Sequence, residues 1–81
     1  MTIQTVAEKY LTRAPLRDVV EDINAYLEDE DKYSHQAVKT WLDGARRPRH
    51  LTMLVLSSVA SGWVQEFAIE MLAALKENRH G

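Results

Sequence analysis

The sequence of 81 residues contains no cysteine. Disulfide bridges, thiolate metal sites and cysteine nucleophiles are therefore excluded, and the composition is compatible with a reducing cytoplasm. No apolar run approaches the roughly 20 residues that a membrane span needs. The first apolar stretch is interrupted by Glu8 and Lys9 and is too short for a signal peptide. From these absences we expect a soluble, cytoplasmic protein that does not associate with membranes.

Residues that interrupt helices are also scarce, since the chain has only three glycines and two prolines. It contains no internal repeat, no low-complexity stretch and no linker. A chain of this length forms one domain, and helices with broad apolar faces are the most economical way to give it a core. The sequence therefore predicts an all-α fold, a compact bundle of about five helices forming a single domain over residues 1–81.

Between these glycines and prolines, apolar residues recur at steps of three and four, as amphipathic helices require. Helices are expected over residues 3–12, 15–29, 34–42, 51–59 and 63–77. Thr2 or Thr5 suits the N-cap of the first helix and Ser34 that of the third, while Gly44 stands where a left-handed C-cap is usually needed. The fourth helix is so apolar that it is expected to be mostly buried.

The net charge of −2 is small, but the charges are distributed unevenly. Residues 18–31 hold seven carboxylates and no basic side chain, whereas residues 32–50 hold five basic side chains and only one carboxylate, Asp43. Such a domain can present one cationic face to a polyanion despite its overall charge. The acidic run 28–31 should end the second helix, and it must either point away from bound phosphates or serve a protein partner.

The third helix carries polar side chains that can hydrogen-bond to base edges or phosphates in the major groove of DNA. The candidate DNA contacts are Ser34, His35, Gln36, Lys39 and Thr40 in this helix and Arg46, Arg47 and Arg49 after it. Gln36 is the expected base reader because glutamine pairs bidentately with adenine, and Lys39 could reach guanine or a phosphate. The arginines are expected to contact the phosphate backbone, which positions a protein without reading sequence.

Residues 34–48 resemble the lambda-repressor-like (Xre/Cro) helix-turn-helix family. The matching features are a serine that starts a short helix, polar exposed positions, the inward pair Val38 and Trp41, and then Gly44, two arginines and Pro48 before another apolar helix. The resemblance covers about residues 16–60 and implies a helix-turn-helix whose recognition helix is 34–42. The link at residues 28–33 is longer and more acidic than the tight turn usual in the family.

These patterns predict a transcriptional regulator of bacterial, phage or mobile-element type that binds double-stranded DNA. The alternative is a protein-interaction module with the helix-turn-helix fold, which uses the acidic helix 15–29 or the apolar helix 63–77. A third possibility is a component of a larger nucleoprotein assembly that binds DNA with little sequence preference.

Catalysis is not expected. His35, His50 and His80 lack the spacing of two metal ligands on one helical turn, and the acidic run lacks the glycine and the alternating ligands of a calcium loop. The chain also lacks a glycine-rich phosphate loop and an assignable nucleophile with its base. We therefore expect no enzyme activity, no metal site and no cofactor.

The fifth helix has an apolar face that is wide for a domain of this size. Its stripe consists of Trp63, Phe67, Met71 and Leu75. This stripe either closes the core or is partly exposed and forms a homodimer. In an isologous dimer the two recognition helices would lie about 34 Å apart, one turn of DNA, and the target site would be nearly palindromic.

Overall fold

The computed structural model describes residues 1–77. The helices are α1 Ile3–Leu11, α2 Leu16–Asn24, α3 His35–Leu42, α4 His50–Val59 and α5 Gly62–Glu77. A 3-10 turn at Asp29–Asp31, here called the acidic turn, lies between α2 and α3, and this part of the chain contains no strand. The predicted all-α bundle is confirmed, while His80 lies outside the described residues. No helix within residues 1–77 is long and apolar enough to cross a membrane.

The core forms around α5, which packs against α1 on one side and α4 on the other, while α3 packs against α1 and α2. Trp41 of α3 is 2% exposed and stacks on Phe67 of α5, with ring centroids 6.3 Å apart. Tyr10 of α1 meets the same Phe67 ring edge-on at 5.9 Å. A few large side chains thus join three helices, and they fix which face of α3 remains in solvent.

The first helix begins as its sequence predicts. Thr2 is the N-cap, and its Oγ1 accepts a hydrogen bond of 3.1 Å from the backbone N–H of Thr5. The apolar residues at helical spacing, Val6, Ala7, Tyr10 and Leu11, are all buried. Capping satisfies one of the free N–H groups at the helix start, and burial of the apolar stripe supplies most of the stability.

The second helix is shorter than predicted, because it ends at Asn24 and not at residue 29. The Asn24 side chain forms two hydrogen bonds with the backbone of Tyr33, which fold the chain back at this point. Residues 25–27 form a turn, and the acidic turn follows outside the helix. Lys32 pairs with Asp29 at 3.0 Å, which relieves part of the repulsion in the acidic run.

The expectation that α4 is mostly buried is wrong. Only Thr52, Met53 and Leu56 within it are buried. Its other apolar side chains are exposed, namely Leu51 (72%), Val59 (56%), Leu54 (43%) and Val55 (42%). The cause is that α4 packs chiefly on α5 along one side, so the opposite side of this uncharged helix remains in solvent.

Of the two alternatives for the apolar stripe of α5, the structure shows closure of the core and not an exposed dimer surface. Phe67 and Met71 are fully buried and Leu75 is 5% exposed, because α1, α3 and α4 all pack onto this stripe. Trp63 is half-buried. The Arg13 guanidinium lies 5.1 Å from the centre of the Trp63 ring. The indole Nε1 of Trp63 donates a hydrogen bond to Asp22 at 3.3 Å. The wide apolar face of α5 therefore closes the core of the monomer.

Candidate nucleic-acid interface

The orientation of α3 follows from its cap and its two buried residues. Ser34 is the N-cap, and its Oγ accepts a hydrogen bond of 3.1 Å from the N–H of Ala37. Val38 and Trp41 are buried, which turns the opposite side of the helix into solvent. On that side His35, Gln36 and Lys39 are exposed. The predicted helix and its predicted cap are both present, with three of the candidate contacts free of the core.

The two candidates with hydroxyl groups, Ser34 and Thr40, differ from these three because their hydroxyls already form hydrogen bonds within the helix. The Ser34 hydroxyl already accepts its capping bond, so it retains its own proton and one lone pair for a partner. Thr40 is half-buried, and its hydroxyl donates to the carbonyl of Ala37. Thr40 can therefore only accept from a partner. Gln36 is exposed, and its side-chain amide offers both a donor and an acceptor.

The C-terminus of α3 is held in a fixed geometry. Gly44 has a φ of +73°, the left-handed conformation that its position in the sequence predicts. Its N–H donates to the carbonyl of Trp41 at 3.2 Å, and the N–H of Ala45 donates to the carbonyl of Thr40 at 2.9 Å. This pair of bonds is the Schellman motif, which satisfies carbonyls at the helix end. From α1, Gln4 Nε2 donates to the carbonyl of Leu42 at 3.0 Å.

The chain then enters the segment 45–49, here called the arginine loop. Arg46, Arg47 and Arg49 are exposed, whereas Pro48 between them is buried and anchors the loop to the protein. The ion pairs found within residues 1–77 involve none of the three guanidinium groups. The loop therefore presents three positive charges on a backbone that is fixed at both ends.

Helix α3 and the arginine loop share one groove of about 610 Å³. The predicted site residues that line it are Ser34, Gln36, Thr40, Arg46, Arg47 and Arg49. Glu30 and Asp31 of the acidic turn line the same groove. The first alternative given for the acidic run, that it points away from bound phosphates, does not hold for these two residues. Their carboxylates offset part of the positive charge on this side of the loop.

A second, smaller groove borders the other side of the arginine loop and has no carboxylate in its lining. It measures about 340 Å³, and Thr2, Ile3 and Gln4 from the start of α1 face the segment 44–47 across it. The N-terminus of α1 adds the partial positive charge of a helix dipole to the two arginines there. This side of the loop is therefore the more favourable one for an anion.

The remaining candidates, His35 and Lys39, lie one helical turn apart. His35 lines a separate groove toward α2, together with Glu21 and Asn24. The structure thus brings Ser34, Gln36, Thr40 and the three arginines together, and it places His35 beside a different element.

Three residues that position the site are not apparent from the sequence. Asn24 and Gln4 bond to backbone atoms nine and 38 positions away. Tyr33 packs its ring edge-on against Trp41 at 4.7 Å. Burial of its hydroxyl, which faces Thr52 and the backbone of Arg49, raises the pKa of Tyr33. No local pattern indicates such contacts, since each depends on how distant segments pack.

Comparison of the chain with profiles of known families, with curated proteins and with solved structures gives no match. The resemblance to the lambda-repressor-like family thus remains a prediction from residues 34–48. Ten residues separate α2 from α3, so the tight turn that this resemblance implies is replaced by a longer link.

Proposed function

We propose that the protein is a non-catalytic, cytoplasmic regulator of bacterial, phage or mobile-element type that binds double-stranded DNA. In this proposal α3 enters the major groove and the arginine loop contacts the phosphate backbone. The observation that carries the proposal is the shared groove, which brings Gln36 and three arginines to one side of the molecule. Gln36 is exposed, and the three arginines form no ion pair within residues 1–77.

The dimensions of α3 suit this role. A helix with its side chains is about 10–12 Å wide, and the major groove of B-DNA is about 12 Å wide. The eight residues of α3 extend about 12 Å, so one or two turns can reach base edges. Gln36 lies in the first turn and on the exposed side, and its amide can donate to and accept from adenine. Lys39, one turn further along, would contact guanine or a phosphate.

The arginine loop would fix the protein on the phosphate backbone. Its attachment through the Schellman motif and through Gln4 means that little backbone order has to be gained on binding. Because Glu30 and Asp31 line one side of the loop, the phosphates should pass on the other side, along Gly44 to Arg47 and the start of α1. Backbone contacts of this kind raise affinity for every sequence alike.

The main alternative is a protein-interaction module. Its support is the acidic segment 18–31, whose seven carboxylates all lie on exposed residues. The other half of this alternative, an apolar docking face on α5, loses its support because that face is buried.

Selection of bound duplexes from a random DNA pool tests the proposal. Recovery of a defined motif is expected, and Gln36→Ala should relax the sequence preference of the recovered pool while leaving the protein folded. Salt-sensitive recovery without any motif would favour a nucleoprotein component that binds DNA regardless of sequence. No recovery at low salt would reject DNA binding and favour the protein-interaction alternative.

A further inference from the structure

A groove of about 640 Å³, here called the α4–α5 groove, lies between the start of α4 and the end of α5. Its apolar lining consists of Leu54, Leu72, Ala73 and Leu75 together with Pro48 of the arginine loop. Leu54 is 43% exposed and Leu72 is half-buried, so the lining remains accessible to water. Covering apolar surface of this kind is favourable because it releases the water in contact with it. The lining therefore favours a partner with apolar side chains.

The charged residues around the α4–α5 groove are all basic. Arg47, His50 and Lys76 line it, and all three are exposed. Among the described residues no carboxylate lines this groove, and Glu30 and Asp31 border Arg47 only in the shared groove. The ion pairs within residues 1–77 involve neither Arg47 nor Lys76. Charge complementarity therefore favours a partner that carries carboxylates beside its apolar side chains.

The exposed apolar surface continues from the groove across α4. Leu51 and Val55 each follow a residue that lines the groove, so they form the adjacent row of the helix. They are 72% and 42% exposed. A small ligand in the groove would leave this row uncovered, whereas a helix about 10–12 Å wide can cover both rows. The extent of the surface therefore favours an amphipathic helix, which places apolar side chains at steps of three and four.

A second copy of this chain does not offer such a helix. The apolar residues of the acidic helix α2, Val19, Val20 and Ile23, are buried in its own core. Helix α4 exposes apolar side chains, but no ionisable residue occurs over residues 51–65. Helix α5 exposes one large apolar side chain, Ile69. An exposed apolar stripe flanked by carboxylates therefore has to come from another protein.

We propose that the α4–α5 groove binds an acidic amphipathic helix of a partner protein. The apolar side chains of that helix pack on Leu54 and Leu72 and cover Leu51, and its carboxylates pair with Arg47 and Lys76. The surface is smaller than the roughly 1,200 Å² of a stable interface, so binding should be reversible with a Kd of about 10–100 µM. The proposal does not rest on DNA binding, and its test uses no DNA, so the two can fail separately.

A designed peptide provides the test. The probe is a fluorescently labelled, end-capped peptide of about 15 residues, long enough to form a helix, with leucines at steps of three and four between glutamates. One matched control is a scrambled peptide of the same composition, and the other has lysine in place of every glutamate. In fluorescence anisotropy the acidic peptide should bind the full chain, and both controls should bind at least about tenfold more weakly.

Two pairs of variants locate the bound peptide on the chain. Leu54→Glu places a carboxylate in the groove and should weaken binding at least about tenfold, whereas Ile69→Glu adds the same charge outside the groove and should bind like the wild type. Arg47→Ala should weaken binding about three- to tenfold. Arg46→Ala removes the same charge from a neighbour that does not line this groove, and it should change binding less than about twofold. All four positions are exposed, and circular dichroism checks that each variant keeps its helix content.

Absence of saturable binding of the acidic peptide would overturn the proposal. Equal binding of either control peptide, or equal effects within either pair of variants, would also overturn it. Two other occupants have outcomes of their own. Dodecanoate that binds the groove more tightly than the peptide would assign it to a small apolar anion. Self-association in sedimentation equilibrium that Leu54→Glu abolishes would assign it to a second copy, and either result would reject a partner helix.

Discussion

The side-chain amide of Asn24 forms hydrogen bonds with both the N–H and the carbonyl of the Tyr33 backbone. Asn24 Oδ1 accepts from the N–H of Tyr33 at 2.9 Å, and Asn24 Nδ2 donates to its carbonyl at 2.9 Å. These bonds close the ten-residue link between α2 and α3 and hold the Tyr33 ring against Trp41. The long link can therefore position α3 although it lacks the tight turn of a typical helix-turn-helix.

Replacing Asn24 tests how much this contact contributes. Asn24→Ala removes two partly buried hydrogen bonds and should lower the free energy of unfolding by about 2 kcal/mol in urea denaturation. Asn24→Asp keeps the acceptor but sets a carboxylate oxygen against the Tyr33 carbonyl and adds charge to an acidic segment, so its loss should be at least as large. A loss below about 0.5 kcal/mol for the alanine variant would mean that the link is held mainly by packing of Tyr33.

The contrast between α3 and α4 explains what the sequence can predict. Helix α3 has a polar and an apolar side, a serine at its start and a glycine after its end, so its bounds and orientation follow from local rules. Helix α4 has no charged residue after His50, so the sequence does not indicate which side is buried. The early end of α2 and the burial of the α5 stripe depend on contacts between distant segments, which a local pattern does not contain.

Gly44 at the end of α3 and Gly62 at the start of α5 both have a left-handed backbone, so substitutions at the two positions can be compared directly. Gly44→Ala and Gly62→Ala both place a side chain at positive φ, which should cost about 1–2 kcal/mol each. At Gly44 a Cβ would also meet Gln4 Oε1 at 3.1 Å, whereas at Gly62 it would meet no atom within 4 Å. We expect the Gly44 variant to be the less stable and to bind DNA more weakly. Equal stability of the two variants, measured by thermal unfolding, would contradict a structural role for Gln4.

The contact between α1 and α5 should make stability depend on pH. Glu70 accepts hydrogen bonds from the Tyr10 hydroxyl and from Lys9 Nζ at 3.1 Å, and these lower the pKa of Glu70 below its ordinary value of 4.5. Its contribution is therefore present above about pH 4.5 and is lost as the pH falls through the lowered pKa.

The Glu70→Gln variant isolates this contribution. It should melt below the wild type at pH 7, and the difference in Tm should shrink as the pH is lowered from 5 to 2. Glu66→Gln removes a neighbouring carboxylate that forms no bond with Lys9 or Tyr10, and it serves as the control. A Glu70→Gln difference that stays constant over this pH range would show that the ionised carboxylate does not stabilise the contact.

The carboxylates in the shared groove should weaken DNA binding. Replacing Glu30 and Asp31 together by Gln and Asn removes two negative charges beside the arginine loop. Affinity for duplex DNA should rise about three- to tenfold at low salt, and the gain should decrease at high salt as screening increases. Glu66→Gln, whose carboxylate lies in a groove beside α1, should change affinity little. A fall in affinity would instead indicate that the acidic turn contacts the partner.

The salt dependence of duplex binding tests the central claim most directly. Contacts from Lys39 and three arginines predict a slope of about −3 to −4 per protomer when log affinity is plotted against log salt. Arg46→Ala combined with Arg47→Ala should make this slope shallower by about 2 and weaken binding to all sequences alike. Lys9→Ala combined with Arg13→Ala removes the same charge from residues that face α5 and should leave the slope unchanged. A wild type without salt-sensitive binding, or equal slope changes in both double variants, would contradict the proposed interface.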